Sequence, residues 1–378
     1  MNHTLLNNLF KTYKESSLYG RYITLDNLTP LITKLPSRFK SEIIGQSVLG
    51  KDIYTITFGT GPKKVLLWSQ MHGNESTTTK AAFDMLNSFI EDDLSSILET
   101  CTIKLIPMLN PDGSEVYTRL NANQVDLNRD AQELTQPESR VLLDCYNAFK
   151  PDFCFNLHGQ RTLFSAGETN NVATLSFLSP SADSDRSLTA ARKKAMSIIN
   201  AINTTLQSDL PDQIGRYDDG FNINCVGDAF QFLETPTVLF EAGHYKDDYN
   251  REEVRRFIYK SLLVGLDCIA NTVVSGDDYV DYFSIPENGK LFYDIIIKNA
   301  QFDDGIKDVG VNYQERLVVK ELMFVPQIVF IGDLSDFYGH KVLNANNSRI
   351  FTASNQVVFE GYENDFVNID NVKLSLNL

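Results

Sequence analysis

Apolar positions recur with two different periods along the first 275 residues, and the way the periods alternate predicts the elements. Short apolar runs at 65–70, 103–109, 153–157 and 237–240 have the length and residue types of buried strands. Between them the spacing becomes helical. Over 77–90, Ala81, Met85 and Phe89 lie four apart, as do Ala82, Leu86 and Ile90. Helices are also predicted over 137–149, which opens on Pro137, a residue suited to a first turn, and over 186–207 and 249–273. Two more strands, 42–47 and 52–59, flank Leu49-Gly50-Lys51. Residues 4–18 predict a short amphipathic helix, followed by an irregular stretch to about residue 40.

Strands alternating with helices imply an α/β fold: a mainly parallel mixed sheet covered by helices on both faces. Ligands of such sheets sit outside the carboxyl ends of the strands. After Ser275-Gly276-Asp277-Asp278 the texture changes to short alternating runs (291–297, 316–319, 327–331, 356–359) divided by Asn, Asp and Gly. The expected organisation is an N-terminal helix and lead-in over 1–40, an α/β domain over 41–276, and a small β-rich domain over 277–378.

Composition narrows the partners. With 43% hydrophobic residues in 378, the chain has enough apolar side chains for a sizeable core. A net charge of -15 argues against nucleic acid, which needs a basic stripe, and against a polybasic attachment to membranes. The first residues have no basic and apolar pattern of a secretory signal, and no apolar run approaches the roughly 20 residues that span a bilayer. Cys101, Cys145, Cys154, Cys225 and Cys268 are odd in number, scattered, and form no Cys-x-x-Cys pair. They point to reduced thiols and a cytoplasmic enzyme.

The residues that carry chemistry lie where predicted strands run out. His72 and Glu75 follow the strand at 65–70 in Met-His-Gly-Asn-Glu, His158 ends the strand at 153–157, and Glu241 ends the strand at 237–240. Asn110-Pro111-Asp112-Gly113 follows 103–109. All converge on one rim of the sheet, where the topology rule expects a site. Two histidines and a carboxylate are a ligand set that leaves zinc an open position for water. Asn-Pro-Asp-Gly is turn chemistry, expected to shape the rim rather than touch substrate.

The order His-x-x-Glu, Asn110-Pro111-Asp112-Gly113, Arg119, Asp126-Leu127-Asn128-Arg129, a histidine after a strand and a late glutamate resembles the metallocarboxypeptidase (M14) family over roughly residues 40–275. The resemblance implies one Zn2+ per chain held by His72, Glu75 and His158, with Glu241 as general acid/base. It implies that Arg119 polarises the scissile carbonyl, that Asn128 and Arg129 clamp the substrate's terminal carboxylate, and that Asp126 partners His72 from behind the metal. Tyr217 is the nearest match to a mobile substrate-binding tyrosine, although its spacing departs from the animal enzymes, and Asn74 stands where those enzymes have arginine. The run from Arg119 to Arg129 is closer to bacterial members, some of which cleave murein peptides.

The implied function is zinc-dependent hydrolysis of a C-terminal peptide or amide bond in a peptide or murein peptide. The alternatives are an N-acyl amino acid deacylase resembling the aspartoacylase and succinylglutamate desuccinylase group, and a non-catalytic peptide-binding module. Among residues outside the motif, His244 is expected to pack behind the pocket. Asp218, Asp219 and Asp228 are expected as solvated or capping acids, with a pocket for a basic side chain as the alternative, and His3 and His340 as surface residues.

Overall fold

The computed structural model describes residues 1–90, 94–370 and 372–378. The chain divides into two compact units, Met1–Gln160 with Ala173–Asn288, and Arg161–Val172 with Gly289–Leu378.

The first unit opens with α1 (His3–Tyr13) and α2 (Leu25–Thr33), then β1 (Lys40–Gln46), β2 (Asp52–Phe58) and β3 (Lys63–Ser69). Next come α3 (Thr77–Ile90), α4 (Ser95–Thr100), β4 (Cys101–Ile106), α5 (Pro111–Glu115) and α6 (Pro137–Phe149), then β5 (Phe153–Gly159). After the two-residue β6 (Ser165–Ala166), which falls in the second unit, follow β7 (Leu175–Leu178), α7 (Ala190–Leu206), β8 (Ile214–Arg216), α8 (Val226–Phe232), β9 (Thr237–Ala242) and α9 (Glu252–Asn271). Eight strands make one sheet in the order β1-β2-β4-β3-β5-β9-β7-β8. Its centre, β4-β3-β5-β9, is parallel. β1 and β2 add an antiparallel flank, and β7 runs antiparallel to β9. This is the mixed, mainly parallel sheet that the alternation of periods implies.

The period of two along each strand sorts the core into two layers. Val65, Leu67, Phe155, Leu157, Val238 and Phe240 pack with residues of α3, α7 and α9. Leu66, Trp68 and Cys154 pack on the opposite face with Leu142, Tyr146 and Phe230 of α6 and α8. Burial on both faces explains why the central strands read as continuous apolar runs. No described helix is long and apolar enough to cross a membrane.

The structure departs from the sequence reading where elements are short or carry conflicting signals. The expected irregular stretch holds α2, started by a Thr24/Asn27 capping box and continuing through Pro30, with Leu28 and Ile32 buried. β7, β8, α5 and α8 are too short to show a period. The helix expected over 4–18 stops at Tyr13, and the one expected over 186–207 begins at Ala190 behind Thr189, whose hydroxyl accepts from Arg192 N–H.

The units divide at β10 (Asn288–Gly289) rather than at 276. Residues 277–288 stay with the first unit because the 3-10 turn Tyr279–Ser284 puts Tyr282, and the chain just beyond it Ile285, into that unit's core. In the second unit, β11 (Phe292–Phe302), β12 (Gly305–Val318), β13 (Glu321–Gly332) and β14 (Tyr338–Asn344) form a sheet in the order β13-β12-β11-β14. β15 (Ile350–Phe351), β16 (Phe366–Ile369) and β17 (Val372–Ser375) form another. The runs expected at 316–319 and 327–331 fall in the β12–β13 hairpin, whereas 356–359 is no strand and makes a single bridge, Val357 to Phe351.

Candidate metal centre

β3 ends at Ser69, and Gln70 turns the chain through a left-handed conformation, φ 46°. His72-Gly73-Asn74-Glu75 then folds into a tight loop in which Glu75 N–H donates to the His72 carbonyl at 3.0 Å. The loop lies backbone to backbone against the Asn-Pro-Asp-Gly turn, for a Cβ on Gly73 would stand 2.1 Å from the carbonyl carbon of Gly113. Asn110 locks the two together. Its Oδ1 accepts from Gly113 N–H at 2.8 Å, and its Nδ2 donates to the Met71 carbonyl at 3.2 Å. Asp112 is buried and accepts from Leu49 N–H at 3.0 Å. Both residues shape the rim, as their turn chemistry predicts.

β5 and β9 bring in the other two groups, since His158 and Glu241 are register partners at the ends of adjacent parallel strands. His72 Nδ1 lies 2.9 Å from Glu75 Oε1, and His158 Nδ1 lies 3.0 Å from Glu75 Oε2. The two Nδ1 atoms face each other at 3.1 Å, and the ligand atoms of His72, Glu75 and His158 all fall within 4.8 Å of one another. Two imidazole nitrogens and a carboxylate turned toward one point fit a bound cation, and the N/O donor set suits zinc. Behind the cluster, His72 Nε2 donates to Asp126 Oδ1 at 3.1 Å, which leaves Nδ1 as the inward-facing acceptor. Gly159 N–H holds Glu75 Oε2 at 2.9 Å.

The titration tendencies follow from this geometry. Burial opposes the charged form of Glu75, but the His72 charge and hydrogen bonds from both rings outweigh it and hold the carboxyl well below its ordinary range. Burial also opposes charge on His72, where Glu75 and Asp126 win and raise its pKa. His158 moves the other way: burial dominates, and the neighbouring His72 adds to it. Glu241 is raised by burial first and by the Glu75 charge second, with Arg119 and Arg251 opposing, and its Oε2 is buried without a hydrogen-bond partner. The Tyr217 phenol is raised by burial and by Glu241 and Glu75, so it stands protonated beside the two acids.

Arg119 lies on the open side of the cluster, its NH1 3.3 Å from Glu75 Oε1 and its NH2 3.0 Å from Asp126 Oδ2. Asn128 and Arg129 sit on the 3-10 turn Leu127–Arg129 that Asp126 caps. Asn128 Oδ1 accepts from Val226 N–H at 3.1 Å at the start of α8, and Arg129 is exposed, with NH1 on the Asn128 carbonyl. Thus the structure gathers His72, Glu75, His158, Asp126 and Arg119 into one bonded cluster, with Glu241 and Tyr217 facing it and Asn128 and Arg129 beside α8. Of the other acids, Asp219 is taken up by Arg186 and Arg192, and Asp218 is exposed. Asp228 is buried, which pushes its pKa up to about 6. His244 is buried against the Tyr249 ring. His340 is half-buried: it stacks on Phe292 with ring centres 4.8 Å apart and reaches the Thr162 carbonyl at 2.8 Å. Gln70 was not expected at the site, because nothing in its neighbours marks a glutamine for a left-handed position.

Fold and cluster together define a class, an α/β protein with a His/Glu/His candidate cation site at the carboxyl ends of its parallel strands. The zinc carboxypeptidase family model matches residues 25–224, more than half of the chain, and the chain belongs to that family. It is 30% identical over 152 residues to carboxypeptidase E of Caenorhabditis elegans, covering 32% of each chain. It is 24% identical over 201 residues to the human carboxypeptidase N catalytic chain, covering 40% of this chain and 43% of that one. The matched part thus spans 32% and 43% of these two relatives, less than half of each. Among solved structures, carboxypeptidase A from Helicoverpa armigera superposes with a TM-score of 0.51 at 16% identity, over 71% of this chain and 80% of that one. Bovine thrombin-activatable fibrinolysis inhibitor gives 0.51 at 14% identity, over 69% and 98%. At these identities the structures speak for the fold alone.

Proposed function

We propose that the chain is a zinc-dependent carboxypeptidase, binding one Zn2+ and hydrolysing the C-terminal peptide or amide bond of a peptide or murein peptide with a free carboxylate. The observation that carries this reading is the convergence of His72 Nδ1, Glu75 and His158 Nδ1 beside a buried Glu241 whose Oε2 has no partner. When bound, zinc supplies Lewis acidity and brings the pKa of water down to about 7. The protein groups do the rest. Asp126 keeps the His72 proton on Nε2 and so fixes the tautomer the site needs. Glu241 receives a proton from the attacking water and passes it to the leaving amine, a transfer for which its raised pKa suits it. The Arg119 guanidinium donates to the carbonyl oxygen as negative charge develops there, a contribution of roughly 3–4 kcal/mol for a well-placed donor. Asn128 and the exposed Arg129 fork bind the terminal carboxylate. The free thiols of all five cysteines support a reducing, cytoplasmic setting.

Two measurements test the proposal together: metal content of the purified chain beside His72→Ala, and hydrolysis of free-acid peptides, their C-terminal amides, murein tripeptides and N-acyl amino acids. About one zinc per chain, absent from His72→Ala, with cleavage of the free-acid peptides alone among the linear ones, is the expected result. Cleavage of N-acyl amino acids only would move the chain to the deacylases. A wild-type chain that takes up no zinc would leave a peptide-binding module.

A further inference from the structure

The residues that bind the cation explain themselves, but the loop that carries two of them is held by a residue no motif includes. Gln70 is fully buried, and its backbone adopts φ 46°, a conformation glutamine takes only under constraint. The amide is used at both ends. Nε2 donates to the Gly73 carbonyl at 2.9 Å and to the Ile23 carbonyl at 3.0 Å, while Oε1 accepts from the Thr79 hydroxyl at 2.8 Å. Gly73 lies between the ligands His72 and Glu75, so the first of these bonds fixes the turn that sets their separation. The second ties that turn to the N-terminal segment, and the third to the first turn of α3.

The N-terminal segment is itself anchored. The Glu15 and Leu18 carbonyls accept from the buried Arg255 guanidinium at 2.8 and 2.5 Å, Gly20 N–H donates to Glu252 at 3.2 Å, and Ser76 donates to the Arg21 carbonyl at 2.5 Å. Residues 15–23 thus form a strap from α9 to the ligand loop, and they precede the stretch that matches the family model, 25–224. We infer that Gln70 is a positioning residue of the metal centre, using its carboxamide to clamp the His72–Glu75 turn onto this N-terminal strap. The inference rests on the metal-binding reading above.

The test is zinc affinity by chelator competition, beside thermal unfolding of the metal-free protein, for wild type, Gln70→Glu and Gln70→Gly. Gln70→Glu keeps the size, the backbone demand and the acceptor for Thr79, but loses both N–H donors. Gln70→Gly loses the clamp and also relieves the left-handed conformation, so it stays foldable if the charged variant does not. Both variants are expected to bind zinc about 10–100-fold more weakly than wild type, the range typical for partners behind a ligand shell. In Gln70→Gly the metal-free unfolding temperature should change little, because relieved strain offsets lost hydrogen bonds. Wild-type zinc affinity in the folded variants, with only the unfolding temperature lowered, would make Gln70 a structural residue and overturn the inference alone. A wild-type chain without zinc affinity would overturn the inference together with the metal site.

Discussion

Glu75 and Glu241 share one rim, yet their surroundings drive their protonation apart. Glu75 lies within hydrogen-bond distance of a ring nitrogen of each histidine and is held ionised, whereas Glu241 is buried beside that negative charge and is pushed toward its protonated form. A pair split in this way agrees with the roles proposed above: the ionised acid suits a cation, the raised one suits proton transfer. Glu241→Gln should therefore retain zinc and KM while kcat falls by about 10²–10⁴. Metal analysis and steady-state kinetics on the same preparation check this, and an unchanged kcat would remove Glu241 from the chemistry. The three residues of the candidate cation site were legible in the sequence because each lies at or just past a strand end, and strand ends are marked by apolar runs that stop. Arg119 and Asp126 needed the motif order as well. Gln70 was not legible by either route: its contribution depends on a carbonyl at Ile23, far along the chain, and on a backbone conformation that no local residue pattern announces.

Elements were legible in proportion to their length. The strands β3, β4, β5 and β9 and helices α3, α6 and α9 carry enough apolar positions to show a period, and the candidate ligands follow β3 and end β5. The N-terminal lead-in was read as irregular because Pro30 interrupts a short pattern and because its strap is held by polar bonds rather than an apolar stripe. Those bonds centre on one ion pair. Arg255 and Asp84 are both fully buried, with Arg255 NH2 2.6 Å and Nε 2.7 Å from the carboxylate, and burial pushes the Asp84 pKa up against the pull of Arg255. Removing one partner of such a pair leaves an uncompensated buried charge, so Arg255→Met should cost about 3–5 kcal/mol in urea unfolding. Adding Asp84→Leu should recover only part of that loss, since the Glu15 and Leu18 carbonyls still lack their donor. Full recovery would mean that the strap draws no stability from Arg255.

At the scale of the whole molecule, composition and packing place the division of the chain differently. The change of texture after residue 275 is real, for every strand of the second unit's larger sheet lies beyond it. Composition nevertheless cannot see that 277–288 turns back onto the first unit. Tyr282 is buried there and its hydroxyl accepts from Ser179 N–H at 3.3 Å; Arg216 Nε donates to the Ile285 carbonyl at 2.9 Å, and Asn200 Nδ2 donates to the Asp278 carbonyl at 2.6 Å. A chain stopped at 276 loses all of these contacts, whereas one stopped at 288 keeps them. Both truncations remove the second unit's strands beyond Gly289 and leave 161–172 without them, so that damage is common to the two and cancels in a comparison. What remains is a buried aromatic side chain with its neighbours, worth about 3–5 kcal/mol. In a unit of this size that corresponds to roughly 5–9 °C in unfolding temperature. The chain ending at Asn288 should unfold higher than the one ending at Gly276 by that amount, measured by thermal unfolding in the same buffer. Equal unfolding temperatures would mean that 277–288 adds nothing to the first unit, and that the boundary lies at 276, where the texture of the sequence places it.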